Sequence, residues 1–194
     1  HFPGQGGAQV DPHFSLPRID GTKRQLLLED ALPFAKLFER VDMLMVSHGN
    51  YCALADEKAI PASLSTRVVD GLLRKKLGYK GVTITDDLTM GAITSIGLTP
   101  ETFLQAFEAG NDLLLFSQAT PLVEKGFKTV LTAVRKSPAL RKRVDESVER
   151  ILNLKNRIQF EPMRYRTQVK ARITRQIEKL RKSLVPVEPP ALKV

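Results

Sequence analysis

The chain has a single cysteine, Cys52, in 194 residues. One thiol excludes an intrachain disulfide and any metal site built on cysteine. No apolar run approaches the roughly 20 residues needed to span a bilayer as a helix. Internal repeats are lacking. Only three histidines occur, His1, His13 and His48, and all three fall in loops or at strand ends rather than on a helix face. An excess of one charge sign is present overall, at +9, but it is uneven. Residues 161–194 hold nine Lys or Arg and three Glu, a net of +6, which leaves +3 for the other 160 residues. The basicity is a property of the tail. It attracts anionic partners in general and gives no ground to expect nucleic-acid binding.

What is present is ordinary for a folded domain, with 42% hydrophobic and 26% charged residues. The chain opens on His1-Phe2-Pro3-Gly4-Gln5-Gly6-Gly7 rather than on Met, with no visible signal peptide. A loop with no element before it suggests that further sequence precedes it. Bacterial cytoplasm, secretion and the cell surface all remain open as compartments.

Residues 1–20 read as a long Gly- and Pro-rich loop. A helix is expected over 30–40, capped by Asp30, with Pro33 in its first turn and Leu37 and Phe38 on its apolar face. Residues 41–47 form a short apolar run that ends abruptly at His48-Gly49, as a buried parallel strand would. Ser65 is expected to cap a second helix carrying Val69, Leu72, Leu73 and Leu77, which Gly78 stops. A strand over 81–85 runs into Asp86-Asp87. A helix over 100–109 stops at Gly110, and a strand follows over 112–116. Two more helices are expected over 122–135 and 139–158.

Strand and helix alternate, which indicates a parallel sheet covered by helices. A doubly wound sheet and a (β/α)8 barrel both fit, and each puts its chemistry just past the strand C-termini. Residues 161–194 read as a separate tail. Pro162 breaks the preceding helix, a basic helix runs over about 165–184, and a Pro-rich stub follows. Val169, Ile173, Ile177, Leu180 and Leu184 form an apolar stripe on that helix. The stripe suits docking on the main domain or, alternatively, contact with a membrane surface or an anionic polymer.

Three features carry chemistry. Asp86-Asp87 closes a buried strand; an Asp there either caps the next helix or points into a cleft as nucleophile or base. Asp11-Pro12-His13 sets a carboxylate two residues from an imidazole in an extended loop, a pairing that orients the ring for acid–base work. His48 closes the first apolar strand, either as a satisfied structural residue or as part of a site.

Together these segments resemble glycoside hydrolase family 3. The family pattern Lys-His-Phe-Pro-Gly-His-Gly, then Asp-Ser-His and Leu-Pro, is met by His1 to Gly7, Asp11-Pro12-His13 and Leu16-Pro17. Leu32-Pro33-Phe34, Met45-Val46-Ser47-His48, Pro61 to Ser65, Leu72-Leu73-Arg74, Gly81 to Asp86 and Ala109-Gly110-Asn111-Asp112 continue the match to about residue 158. The resemblance implies the C-terminal half of a (β/α)8 TIM-type barrel over 1–160, followed by the basic helical tail.

It also implies a retaining β-N-acetylhexosaminidase that needs no metal and no cofactor, with an amino-sugar glycoside as substrate and a role in cell-wall or amino-sugar turnover. Asp86 matches the nucleophile, and Asp11 with His13 matches the proton-transfer dyad. His1 and His48 are carried as substrate-binding candidates, and Asp87 as a supporting residue. Gln5 and Pro12 depart from the family's His and Ser. The resemblance further implies that the other half of the barrel supplies sugar-binding residues, so this chain alone is expected to be inactive. Phosphorolysis, a β-glucosidase and a non-catalytic module with an anion-binding tail are the rival readings.

Overall fold

A computed structural model describes residues 1–54, 59–118, 120–158 and 174–179. Five short strands are present among them: β1 (Arg18–Ile19), β2 (Met43–Val46), β3 (Asn50–Tyr51), β4 (Val82–Asp87) and β5 (Leu113–Leu115). The helices are α1 (Lys23–Gln25), α2 (Leu32–Leu37), α3 (Gly91–Thr94), α4 (Pro100–Ala109), α5 (Pro121–Lys136) and α6 (Pro138–Arg157), with wider π-wound turns over Leu26–Asp30 and Arg67–Lys76.

β2, β4 and β5 form a parallel sheet in that order, with Met45 opposite Ile84 and Ile84 opposite Leu113. Phe2 extends the sheet beyond β2. Its amide donates to Met45 O at 2.8 Å, and its carbonyl accepts from Ser47 N at 2.9 Å. The strand segments therefore succeed one another in chain order. Among the described residues there is no reversal of order of the kind that defines a doubly wound sheet, and the arrangement is consistent with part of a barrel. β1 and β3 form a second, two-residue parallel pair.

Val68, Val69, Leu72 and Leu73 of the Arg67–Lys76 helix are buried with Val46 and Tyr79 in the larger core cluster. Burial of each such side chain is worth about 1.5–3 kcal/mol. A second cluster packs Leu64, Leu88, Ile93 and Ala106 together. α4 is bounded as its sequence indicates. Thr99 and Thr102 form a capping box, Pro100 sits at the first turn, and Gly110 ends the helix at a φ of 122°. A side chain at Gly110 would be strained at that φ and would also crowd Val69.

Several expected boundaries differ. Asp30 does not cap a helix; it ends a π-wound turn, and α2 starts at Leu32 behind Ala31. Ser65, by contrast, stands at the expected start of the Arg67–Lys76 helix: its backbone is extended, its carbonyl accepts from Val68 N and Val69 N at 3.0 Å, and Thr66 after it is already helical. That helix is π-wound, with Leu77 N bonded five residues back to Leu72 O at 2.9 Å, a geometry that apolar spacing alone does not distinguish from an α-helix. The opening loop contains β1. Residues 1–158 and 159–194 are separate compact units. Of the expected tail helix only residues 174–179 are described, and they are helical; the rest of the tail reading lies outside the described residues. Among the described residues no helix is long and apolar enough to cross a membrane.

Candidate active site

β4 is buried along most of its length, and its threonines hold it in place from within. Thr85 Oγ1 accepts from Leu115 N at 3.0 Å, and Thr83 Oγ1 accepts from Asp112 N at 3.2 Å. The strand ends in Asp86-Asp87. Asp86 is 8% exposed, and its Oδ1 accepts from the Asp87 amide at 2.9 Å. Its Oδ2 lies 3.4 Å from His1 Nε2, so the two residues that the sequence set 85 positions apart meet at one point. One carboxylate oxygen is thus fixed by the backbone, and the other faces the half-exposed imidazole.

Asp87 is used differently. Its Oδ1 accepts from Thr89 N at 2.9 Å and from Thr89 Oγ1 at 2.7 Å. Burial pushes its carboxyl upward, but the donors of Ser117 and Thr89 more than offset this and hold it below the usual range. Asp87 therefore ties the turn after β4 to the loop after β5.

His48 is fully buried. Its Nε2 lies 2.9 Å from Asp87 O and its Nδ1 2.7 Å from Ser63 Oγ. A carbonyl only accepts, so Nε2 carries the proton and Nδ1 accepts from the serine hydroxyl. Burial lowers the imidazole pKa, against the opposing pull of the Asp87 carbonyl and the nearby carboxylates. The neutral ring links the segment just after β2 to the end of β4, near enough to Asp86 to feel its charge.

The Asp11–His13 pair is exposed and short-range. His13 donates its amide to Asp11 Oδ1 at 2.9 Å, and its Nδ1 lies 2.6 Å from the same oxygen. The His13 amide first, and then its ring, hold the Asp11 carboxyl below its ordinary value. An ionised carboxylate fixes the proton on Nδ1, which leaves Nε2 as the nitrogen open to outside chemistry. The loop is anchored by main-chain bonds. Pro12 O accepts from Ala92 N at 2.9 Å and His13 O from Gly91 N at 3.0 Å. Gly91 and Ala92 open α3, five residues beyond Asp86.

At the other end of the same strands, Asp112 is buried against Arg74 at 2.7 Å and Arg150 at 2.8 Å, and it also accepts from Thr83 N at 2.9 Å. Arg143 completes the cluster at 3.3 Å. In α/β folds of this kind the chemistry lies at the strand C-termini, so this cluster reads as architecture.

The structure brings His1, Asp86, Asp87 and His48 together around the end of β4, and ties the Asp11–His13 loop to the turn that follows. Reading the sequence missed Ser63, Thr89 and Ser117 as supports. Ser63 lies inside a matched segment, but no spacing rule points a serine at a histidine 15 residues away. Among the described residues no group of three or more His, Cys, Asp or Glu is placed to hold a metal ion.

Residues 1–154 match the family model described as the glycosyl hydrolase family 3 N terminal domain. The chain is 36% identical over 126 residues to β-hexosaminidase A of Pseudoalteromonas piscicida, an alignment covering 59% of this chain and 21% of that protein. Among solved structures it is similar to a glycoside hydrolase family 3 β-N-acetylglucosaminidase from Paenibacillus sp. str. FPU-7, with a TM-score of 0.75 and 33% identity over 92% of this chain and 36% of the other. It is also similar to a β-glucoside phosphorylase, with a TM-score of 0.71 and 26% identity over 80% of this chain and 29% of the other.

Proposed function

The chain belongs to glycosyl hydrolase family 3, and from that premise we propose that it serves the retaining hydrolysis of terminal β-linked N-acetylhexosamine residues. The observation that carries this reading is the attachment of the Asp11–His13 loop to the first amides of α3. It ties a carboxylate-oriented imidazole to the turn that leaves Asp86.

A retaining glycosidase needs a nucleophile at the anomeric carbon and a proton donor at the leaving oxygen. Asp86 is the nucleophile. The Asp87 amide fixes Oδ1, so the carboxylate is set in one rotamer before substrate arrives. Oδ2 attacks the anomeric carbon, the glycosidic bond breaks, and the electron pair leaves on the aglycone oxygen. His13 Nε2 delivers a proton to that oxygen. In the second half, His13 takes a proton from water as the water displaces Asp86. Asp11 keeps the ring oriented and balances its positive charge, as the carboxylate does in a serine-protease triad. His1, beside Oδ2, contacts the sugar that Asp86 attacks. His48 supports the site by holding the Asp87 carbonyl together with the Met90 amide. All steps run on protein groups and water, without metal or redox chemistry.

The similarity to a phosphorylase supports a second reading, in which phosphate takes the place of water. A released-sugar assay on an aryl N-acetyl-β-glucosaminide tests both, using the active enzyme with and without phosphate. Free N-acetylhexosamine formed at the same rate in both conditions is the expected result. A sugar phosphate formed only with phosphate would overturn hydrolysis.

A further inference from the structure

We propose that Gly91 is a positioning residue for the proton-transfer loop, seating His13 against the turn that leaves Asp86. This rests on the hydrolase reading above.

The Asp11–Ser15 segment is a tight unit. Phe14 N bonds back to Asp11 O at 3.0 Å, Ser15 N reaches the same oxygen at 3.4 Å, and Asp11 Oδ1 takes both the amide and the ring of His13. Its attachment beyond itself runs through two carbonyls, Pro12 O and His13 O, held by Ala92 N and Gly91 N. These are the first two amides of α3, which have no partner inside their own helix. The loop satisfies them, and they in turn locate the loop.

The approach is close enough to demand a glycine for space alone, since Gly91 does not adopt a positive φ. A Cβ on residue 91 would lie 2.4 Å from the Phe14 carbonyl carbon, and 2.5 Å from both His13 O and Phe14 O. All three are main-chain atoms, so no rotamer change relieves the collision. The loop itself must lift by about 1 Å to reach ordinary van der Waals contact. A displacement of that size in a reacting group costs about 100-fold in rate. Asp86 sits on the strand and is held by the Asp87 amide, so it stays where it is.

The expected signature of Gly91→Ala is therefore selective. In the active enzyme, kcat/KM should fall about 100-fold for substrates with poor leaving groups, which need the proton. For activated aryl glycosides it should stay close to wild type. In a His13→Ala background, Gly91→Ala should cost nothing further on the poor substrates. An equal loss on both substrate classes, or an additive loss in the His13→Ala background, would overturn the proposal.

Should Gly91→Ala fail to fold, Ala92→Pro deletes the amide that holds Pro12 O, at a first-turn position where proline is tolerated. The same selectivity is expected of it, and its absence is equally decisive. Amide hydrogen exchange on the wild-type enzyme separates this idea from the hydrolase reading. Fast exchange at Gly91 and Ala92 with normal hydrolysis overturns the seating alone. Slow exchange with no hydrolysis overturns the hydrolase assignment, and the role in it goes too.

Discussion

His48 Nε2 donates to the main-chain carbonyl of Asp87 across 2.9 Å, joining the end of one central strand to the end of the next through a fully buried ring. Replacing His48 by Leu strands the buried Ser63 hydroxyl, while the Asp87 carbonyl keeps the Met90 amide as a donor at 3.0 Å. The expected loss is about 1–3 kcal/mol of stability for the hydroxyl left unsatisfied. Chemical denaturation of variant and wild type measures it. A loss close to zero would mean that water replaces the ring at no cost.

The same histidine sets a pH dependence. Burial lowers its pKa in the folded state, so the unfolded chain binds the proton more readily. The stabilisation is fully present above the unfolded imidazole value of about 6.5 and is lost as pH falls below it toward the folded value. Wild type should therefore lose thermal stability on going from pH 7 to 5, and His48→Gln should lose distinctly less over that interval. Parallel curves would remove His48 as the cause.

Asp86→Ala should reduce hydrolysis of aryl N-acetyl-β-glucosaminides by about 100-fold or more, the scale on which loss of a principal catalytic group acts. Far-ultraviolet circular dichroism should be unchanged, because only one backbone amide loses its partner. A variant keeping a substantial fraction of the wild-type rate would transfer the nucleophile to another group.

His13→Ala should separate substrates by leaving group. Activated aryl glycosides should keep kcat/KM near wild type, while poor leaving groups should lose about 10²–10⁴-fold, the range for general acid–base catalysis. Asp11→Ala should follow the same pattern with a smaller loss, because the ring remains but loses its orienting carboxylate. Equal losses across both classes would exclude proton transfer as the role of the pair.

Asp112→Ala should be the most destabilising of these changes. It leaves Arg74, Arg143 and Arg150 facing one another with no central anion, and removing one partner of a buried ion pair costs about 3–5 kcal/mol. The wild-type carboxyl is pushed up by burial but brought net below its usual value by the Thr83 amide and the arginines. Its contribution is therefore present above the unfolded carboxylate value of about 3.9 and is lost as pH falls through the folded one. Calorimetry below pH 4 should show wild type converging on the variant. Convergence at neutral pH would contradict the assignment.

The sequence by itself determined the strand–helix alternation, the positions of β2, β4 and β5 to within a few residues, and the bounds of α4. Those features follow from local chemistry: apolar runs of strand length, Pro100 at a helix start and Gly110 at its end. It also offered Asp86 and the Asp11–His13 pair as candidates; the local pattern left a helix-capping Asp86 open, and the resemblance to the family, carried by several ordered motifs, chose these residues as the expected catalytic ones.

Other properties were decided only by the tertiary structure. The winding of the Arg67–Lys76 helix depends on packing, since apolar spacing is shared by neighbouring helix types. His1 meets Asp86 only because Phe2 pairs with Val46 at the sheet edge. His48 takes its buried place only because Ser63 and Asp87, 15 and 39 residues away, converge on its two nitrogens. Gly91 looks like an ordinary helix-opening glycine until the carbonyls of His13 and Phe14 are seen lying against it. Each of these depends on distances between segments far apart in the chain. Composition and local spacing carry no record of such distances; packing of the sheet and its helices sets them.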